Sequence, residues 1–166
     1  MELICADCSC VVDTGTRLRL CGNVQCCCSA LPVETTESFA RRVACALDDA
    51  DLEAFRALLG TDARWGDPYE SVATCQSREQ ILEWYARARD QGVRARVSET
   101  TVIDHHILVT MLVRRPSKSV AQATEEERWQ VLTVDNGSIT SIRGYETLDE
   151  AELAMTAPSP WGMDRP

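Results

Sequence analysis

Three side chains have the types that proton abstraction from a carbon acid requires. Asp67 follows Trp65 at the end of a short predicted strand, and a carboxylate set among aromatic rings is a suitable general base. Arg143 and Tyr145 share one face of the last predicted strand, because strand side chains two residues apart point the same way. A phenol can donate a hydrogen bond to an enolate oxygen, and a guanidinium can neutralise its charge. These three residues are the candidate catalytic groups.

The same residues also have structural interpretations. Asp67-Pro68 is a typical start of a turn. If the face with Arg143 and Tyr145 points away from a pocket, these side chains belong instead to a dimer interface, where arginine and tyrosine are enriched. The sequence leaves the orientation of that strand open.

Three aromatic residues, Trp65, Tyr85 and Trp129, are the candidate ligand-binding side chains. Aromatic rings supply a large apolar contact area, and tyrosine and tryptophan add one polar group each. Trp129 alternates with Val131 on a predicted strand, where an aromatic residue belongs more often to the core or to an interface than to a pocket.

Cysteines cluster at the start of the chain, where seven of the nine precede residue 29. A CxxC pair followed by a C-x4-C pair offers four thiols for a tetrahedral zinc ion. The segment around Cys21 resembles the core of a ubiquitin-protease-type zinc finger, but Leu18 stands in place of a cysteine and Asn23 in place of the histidine. Ubiquitin binding is therefore not carried over. The alternative is an unordered, oxidisable appendage. The candidate ligands of a structural zinc are Cys5, Cys8, Cys21 and Cys26.

Apolar spacing and capping residues predict four helices. The first begins at Thr36 and runs to about Leu47, and Asp48-Asp49 is expected to end it and to cap a second helix that reaches Leu59. Gly60 then follows as the expected C-terminal cap. The third helix begins with the capping box Ser77-Arg-Glu-Gln80 and extends to about Gln91. The fourth is short and spans residues 148–155.

The strongest strand signal is the turn Asp135-Asn136-Gly137 between two apolar runs, because Asn-Gly readily adopts the positive φ angles of a hairpin. Residues 63–66 form a short predicted strand, and residues 93–103 and 107–115 form two long ones. His105 and His106 lie at the tip between the long strands. As consecutive residues they are expected to point to opposite sides, so neither is assigned a function.

Composition and apolar run lengths argue against two classes of function, nucleic-acid binding and membrane insertion. The chain has 166 residues and a net charge of −9, which opposes binding to nucleic acid. No apolar run approaches the ~20 residues that span a bilayer, and no secretory signal is recognisable, so a cytoplasmic protein without a membrane partner is expected. The predicted organisation is a cysteine-rich appendage (1–33), one domain (34–155) and a disordered tail (156–166).

Residues 35–150 resemble the SnoaL-like branch of the NTF2-like superfamily. The resemblance rests on residues 62–68, the helix start Ser77–Tyr85 and the closing segment Val134–Tyr145. It implies an α+β fold in which helices pack on a curved antiparallel sheet, forming a cone with a ligand pocket. Relatives include polyketide cyclases, ketosteroid isomerases, epoxide hydrolases and non-catalytic binding or dimerisation modules. A homodimer formed through the sheet is expected.

Two hypotheses follow for the main domain. In the first, it is a non-catalytic module that dimerises or binds a small apolar molecule. In the second, it is a cyclase or isomerase that uses Asp67 as general base, with Tyr145 and Arg143 at the oxyanion. Neither hypothesis requires a cofactor in this domain.

Overall fold

The computed structural model describes residues 34–48, 50–116 and 125–157, together with the backbone of two short strands, β1 (Glu2–Ile4) and β2 (Val11–Asp13). The chain divides into two compact units, Met1–Thr35 and Thr36–Pro166. β1 and β2 form an antiparallel pair in the first unit. The predicted zinc ligands and the predicted tail beyond Ala157 lie outside the described residues, so both remain predictions.

The second unit has the predicted α+β architecture. Its helices are α1 (Thr36–Asp48), α2 (Leu52–Leu58), α3 (Arg78–Asp90) and α4 (Leu148–Ala154). α1 and α3 are the longest, with 13 residues each. In the part of the chain that the structure describes, no helix is long and apolar enough to cross a membrane.

The cap of α2 differs from the prediction at both ends. Asp51 caps its start, where the Asp51 side chain accepts hydrogen bonds from the backbone N–H groups of Glu53 and Ala54. Gly60 is not a C-terminal cap. It lies in β3, which begins at Leu59 directly after the helix, so the chain passes from helix to strand without a left-handed residue.

The start of α3 follows the predicted capping box in part. The Ser77 hydroxyl accepts a hydrogen bond from the backbone N–H of Gln80 at 3.3 Å, as expected. The Gln80 side chain, however, accepts its bond from the backbone N–H of Gln76 at 2.7 Å rather than from Ser77. Gly92 follows the helix with φ +84°, as the predicted helix end requires.

A five-stranded sheet forms the other layer. Its spatial order is β3-β7-β6-β5-β4, with β3 parallel to β7 and all other pairs antiparallel. The predicted short strand extends over eight residues as β3. The strands are β3 (Leu59–Gly66), β4 (Arg94–Ile103), β5 (His106–Arg114), β6 (Glu125–Asp135) and β7 (Ser138–Tyr145).

A register shift in the β6–β7 pair changes which side chains of β7 share a face of the sheet. Thr133 pairs with Ser141, but the next residue of β6 pairs with Ile139. One extra residue therefore separates Ile139 from Ser141 on β7, and Ile139 joins the same core as Ile142. Regular alternation over the predicted strand would place Ile139 on the same face as Arg143 and Tyr145, and the bulge reverses this.

The sheet separates two apolar cores. On one face, α1, α2 and α3 bury the larger core, in which Val43, Ile81 and Ile142 are fully buried. Burial of one such side chain contributes ~1.5–3 kcal/mol. On the opposite face, α4 packs on Leu108, Val131 and other residues of β5 to β7. The face under α1 to α3 is called the concave face below, and the other the α4 face.

We predict that Gly137→Ala lowers the free energy of unfolding by about 1–2 kcal/mol, because a residue with a Cβ is disfavoured at positive φ. Gly137 has φ +74° and an added Cβ meets no atom within 4 Å, so the loss comes from the backbone alone. Gly144→Ala is the matched control, since its Cβ also meets nothing and its φ is not positive. Urea unfolding measures both, and equal losses would contradict the prediction.

Candidate functional site

The concave face contains a cavity of about 640 Å³. It lies where β3 and β7 end, where β4 begins, and beside the last turn of α3. Its lining includes residues from α1, α2 and α3 and from all five strands of the sheet. Such a volume falls within the ~300–1,000 Å³ of small-molecule sites.

Four aromatic rings, each in contact with the next, form one wall of the cavity. The ring centroids of Trp65 and Trp84 are 4.2 Å apart, and Tyr85 meets Trp84 and Phe55 edge to face at 5.2 Å each. The sequence predicted two of these rings, Trp65 and Tyr85, as ligand contacts, whereas Trp84 and Phe55 were not among the predicted site residues. The indole N–H of Trp65 is buried and has no hydrogen-bond acceptor among the described residues.

The aromatic wall carries one polar pair. The Tyr85 hydroxyl donates a hydrogen bond to the Gln130 side-chain oxygen at 3.0 Å. Burial raises the pKa of the Tyr85 phenol to about 12, so it stays protonated at neutral pH. Gln130 was not predicted as a site residue. The signal was available, because it is a polar residue between Trp129 and Val131, where the apolar part of β6 begins.

Asp67 lines the cavity at the end of β3. One of its carboxylate oxygens accepts a hydrogen bond from the backbone N–H of Tyr69 at 2.8 Å. This bond is the turn geometry typical of aspartate before proline. The residue thus has the predicted structural role, and it also borders the cavity.

Arg143 does not line the cavity. It lies on the α4 face with 2% exposure, and its guanidinium donates a hydrogen bond to the carbonyl oxygen of Ala154, the last residue of α4, at 3.2 Å. Its Nε has no hydrogen-bond partner among the described residues. The negative end of a helix dipole favours a cation at this position. Arg143 is therefore a helix-capping side chain rather than a group beside a bound ligand.

Tyr145 occupies the boundary between the two faces. It packs in the α4 core, yet it also borders the cavity together with Trp129, its neighbour across the β6–β7 pair. Burial raises the pKa of the Tyr145 phenol, Arg143 lowers it, and the charges of Glu150 and Asp67 raise it. Tyr145 is thus close enough to Asp67 for their charges to interact.

Of the six site residues predicted in the main domain, five line the cavity and one, Arg143, does not. The sequence analysis did not identify the charged residues of the cavity lining, above all its five arginines. They lie near the ends of four different elements, so no local motif identifies them as one group. The cavity-lining predicted residues are Trp65, Asp67, Tyr85, Trp129 and Tyr145.

The two histidines lie away from the cavity. Asp104 has φ +53° and breaks the strand alternation, so the rings of His105 and His106 stack with centroids 4.0 Å apart. The two rings are tilted by 39° and in contact, so the prediction that they point to opposite sides is wrong. His106 is buried, with Nδ1 3.3 Å from the hydroxyl of Thr133. Within the described ranges, no cluster of three or more His, Cys, Asp or Glu side chains is arranged for a metal ion.

We predict that Tyr85→Phe reduces the alkaline sensitivity of the fold. The phenol ionises near pH 10 in the unfolded chain and near pH 12 in the folded one. The folded state therefore holds this proton more tightly, so its contribution to stability is complete below pH 10 and is lost as the pH rises to 12. Urea unfolding of wild type and variant between these pH values measures the difference. A variant that loses stability as steeply as the wild type would contradict the prediction.

The fold is shared with solved structures from several bacteria. A protein of ketosteroid isomerase-like fold from Catenulispora acidiphila, in complex with trimethylamine, is 22% identical with a TM-score of 0.54 over 76% of this chain and 98% of that one. An LEH-like epoxide hydrolase from M. tuberculosis is 19% identical with a TM-score of 0.54, over 74% and 91%. An NTF2-like protein from Burkholderia pseudomallei is 19% identical with a TM-score of 0.53, over 73% and 97%.

These similarities establish the NTF2-like fold and no activity, because the identities are low and the fold supports many chemistries. A comparison with curated proteins finds no match. The family model of the SnoaL-like domain matches residues 40–142, which is more than half of the chain. The protein therefore belongs to the SnoaL-like domain family.

Proposed function

We propose that the domain binds a small, mostly apolar molecule in the cavity of its concave face and does not transform it. The observation that carries this proposal is the wall of four contacting aromatic rings along a cavity of about 640 Å³. Burial of apolar ligand surface against such a wall yields ~25 cal/mol per Å².

The polar groups on the aromatic wall support binding rather than chemistry. The Tyr85 phenol is already paired with Gln130 and stays neutral, so it can orient a ligand but supplies no base. The Trp65 indole N–H lacks an acceptor among the described residues, and such a buried donor costs ~1–3 kcal/mol. An acceptor atom on a ligand that reached it would recover part of this cost.

Ligand binding is expected to change tryptophan fluorescence, because Trp65, Trp84 and Trp129 line the cavity. The fourth tryptophan, Trp161, is replaced by phenylalanine to remove its background signal. Titration with a panel of aromatic and alicyclic compounds then identifies binders, and calorimetry confirms them. The expected result is saturable quenching or a spectral shift by at least one apolar class.

A cavity-filling variant supplies the control. Ala88 lines the cavity on α3, whereas Ala86 on the same helix does not. Ala88→Leu is expected to weaken binding, since the larger side chain occupies ligand space, and Ala86→Leu is expected to leave it unchanged. Equal effects of the two substitutions on binding, with both variants folded, would refute the cavity as the site.

A second candidate function is general-base catalysis by Asp67. The observation that favours it is the proximity of two ionisable groups at one edge of the cavity, where the charge of Asp67 raises the pKa of the Tyr145 phenol. A neutral phenol there could donate a hydrogen bond to an oxyanion formed when Asp67 removes a proton. In this alternative Tyr145 acts without Arg143, which does not line the cavity.

Asp67→Asn separates the two functions. The amide oxygen preserves the hydrogen bond from the Tyr69 N–H, so the fold and the ligand affinity are expected to stay close to wild type. Under the binding proposal, chromatography of the bound compound shows no conversion by wild type or variant. Conversion by wild type that falls ~10²–10⁴-fold in the variant would instead establish the catalytic function. Asp67→Ala, which removes the turn bond, measures the structural contribution separately.

A further inference from the structure

The charge of the cavity differs in sign from that of the whole chain. The net charge of the protein is −9, yet the cavity lining contains five arginines against three carboxylates, a formal excess of two positive charges. The carboxylates are those of Asp48, Asp67 and Glu146. A concentration of one sign within a cleft focuses the electrostatic potential there.

The arginines gather at one end of the sheet. Arg94 is the first residue of β4, and Arg115 follows the end of β5, whose last residue pairs with Arg94. Arg87 and Arg89 belong to the last turn of α3. A Cβ placed on Gly92, just after α3, would lie 3.4 Å from Pro116, so the end of α3 abuts the end of β5. The remaining arginine, Arg128, lies near the start of β6.

Three of the five guanidinium groups are already engaged. Arg128 pairs with Glu126 at 2.8 Å, and Arg89 lies 3.7 Å from the Asp90 carboxylate. Arg94 donates to the carbonyl oxygens of Arg89 and Val93. Within the described part of the chain, neither Arg87 nor Arg115 has a carboxylate oxygen within 4.0 Å.

The three carboxylates of the lining, including that of Glu146, form no ion pair within 4.0 Å among the described residues. One oxygen of Asp48 accepts the backbone N–H of Val97 at 2.9 Å, and one of Asp67 accepts that of Tyr69. These bonds hold the carboxylates at the ends of α1 and β3, without an ion pair to Arg87 or Arg115. This end of the cavity therefore retains two guanidinium groups, those of Arg87 and Arg115, beside an apolar wall.

We infer that the ligand is an apolar carboxylate: an aromatic or alicyclic body lies against the aromatic wall, and its anionic group lies between Arg87 and Arg115. This inference rests on the proposed binding function and adds the chemical class of the ligand. Guanidinium groups suit the task because they form paired, charge-assisted hydrogen bonds with carboxylates.

The test compares naphthoate with its uncharged amide, which has nearly the same shape. The wild-type chain is expected to bind naphthoate about tenfold more tightly than the amide, as expected for a hydrogen bond to a charged group. The preference is expected to shrink as salt rises. In the double variant Arg87→Gln/Arg115→Gln, the preference for naphthoate is expected to disappear, because the affinity for naphthoate falls and the affinity for the amide does not.

Arg41→Gln is the matched control, since Arg41 is exposed on α1 and does not line the cavity. It is expected to keep the full preference for the acid. Equal affinity of wild type for acid and amide would overturn the inference while leaving the binding proposal intact. A preference that survives in the folded double variant would overturn it as well. Failure of both compounds to bind would count against the proposed function itself and the inference that rests on it.

Discussion

The register shift between β6 and β7 is the constraint on which both faces of the domain depend. It places Ile139 and Ile142, three residues apart, in one core, whereas regular alternation would send them to opposite faces. Beyond the bulge, Arg143 and Tyr145 fall on the α4 face. This single extra residue on β7 therefore determines which side chains face the core under α1 to α3 and which side chains α4 covers.

The cavity is a consequence of unequal element lengths. A 13-residue helix such as α3 is ~20 Å long at 1.5 Å per residue, whereas an 11-residue strand such as β6 extends ~36 Å. The helices therefore leave one end of the concave face open. Large aromatic side chains and arginines, which tolerate partial exposure, occupy that end. Together they give the cavity an apolar wall and a basic end.

Local signals in the sequence were sufficient for most elements and insufficient for the site. The hairpin at Asn136-Gly137 and the cap at Ser77 were predictable because the determining residues are neighbours in sequence. The bulge near Ile139 was not, because it depends on packing between strands. Asp67 was predicted as a candidate from its place after a strand, but its proximity to Tyr145 follows only from the parallel pairing of β3 with β7.

The buried guanidinium of Arg143 affects which helix detaches first from the sheet in local unfolding. In the described structure it is buried and meets the end of α4 through one carbonyl oxygen. When α4 detaches, water solvates this cation, and the gain offsets part of the cost of exposing Ala151 and Met155. α4 therefore opens at a lower free energy than α1 or α3, which pack on the larger apolar core. Amide hydrogens of α4 should exchange with solvent earlier than those of β5 and β6.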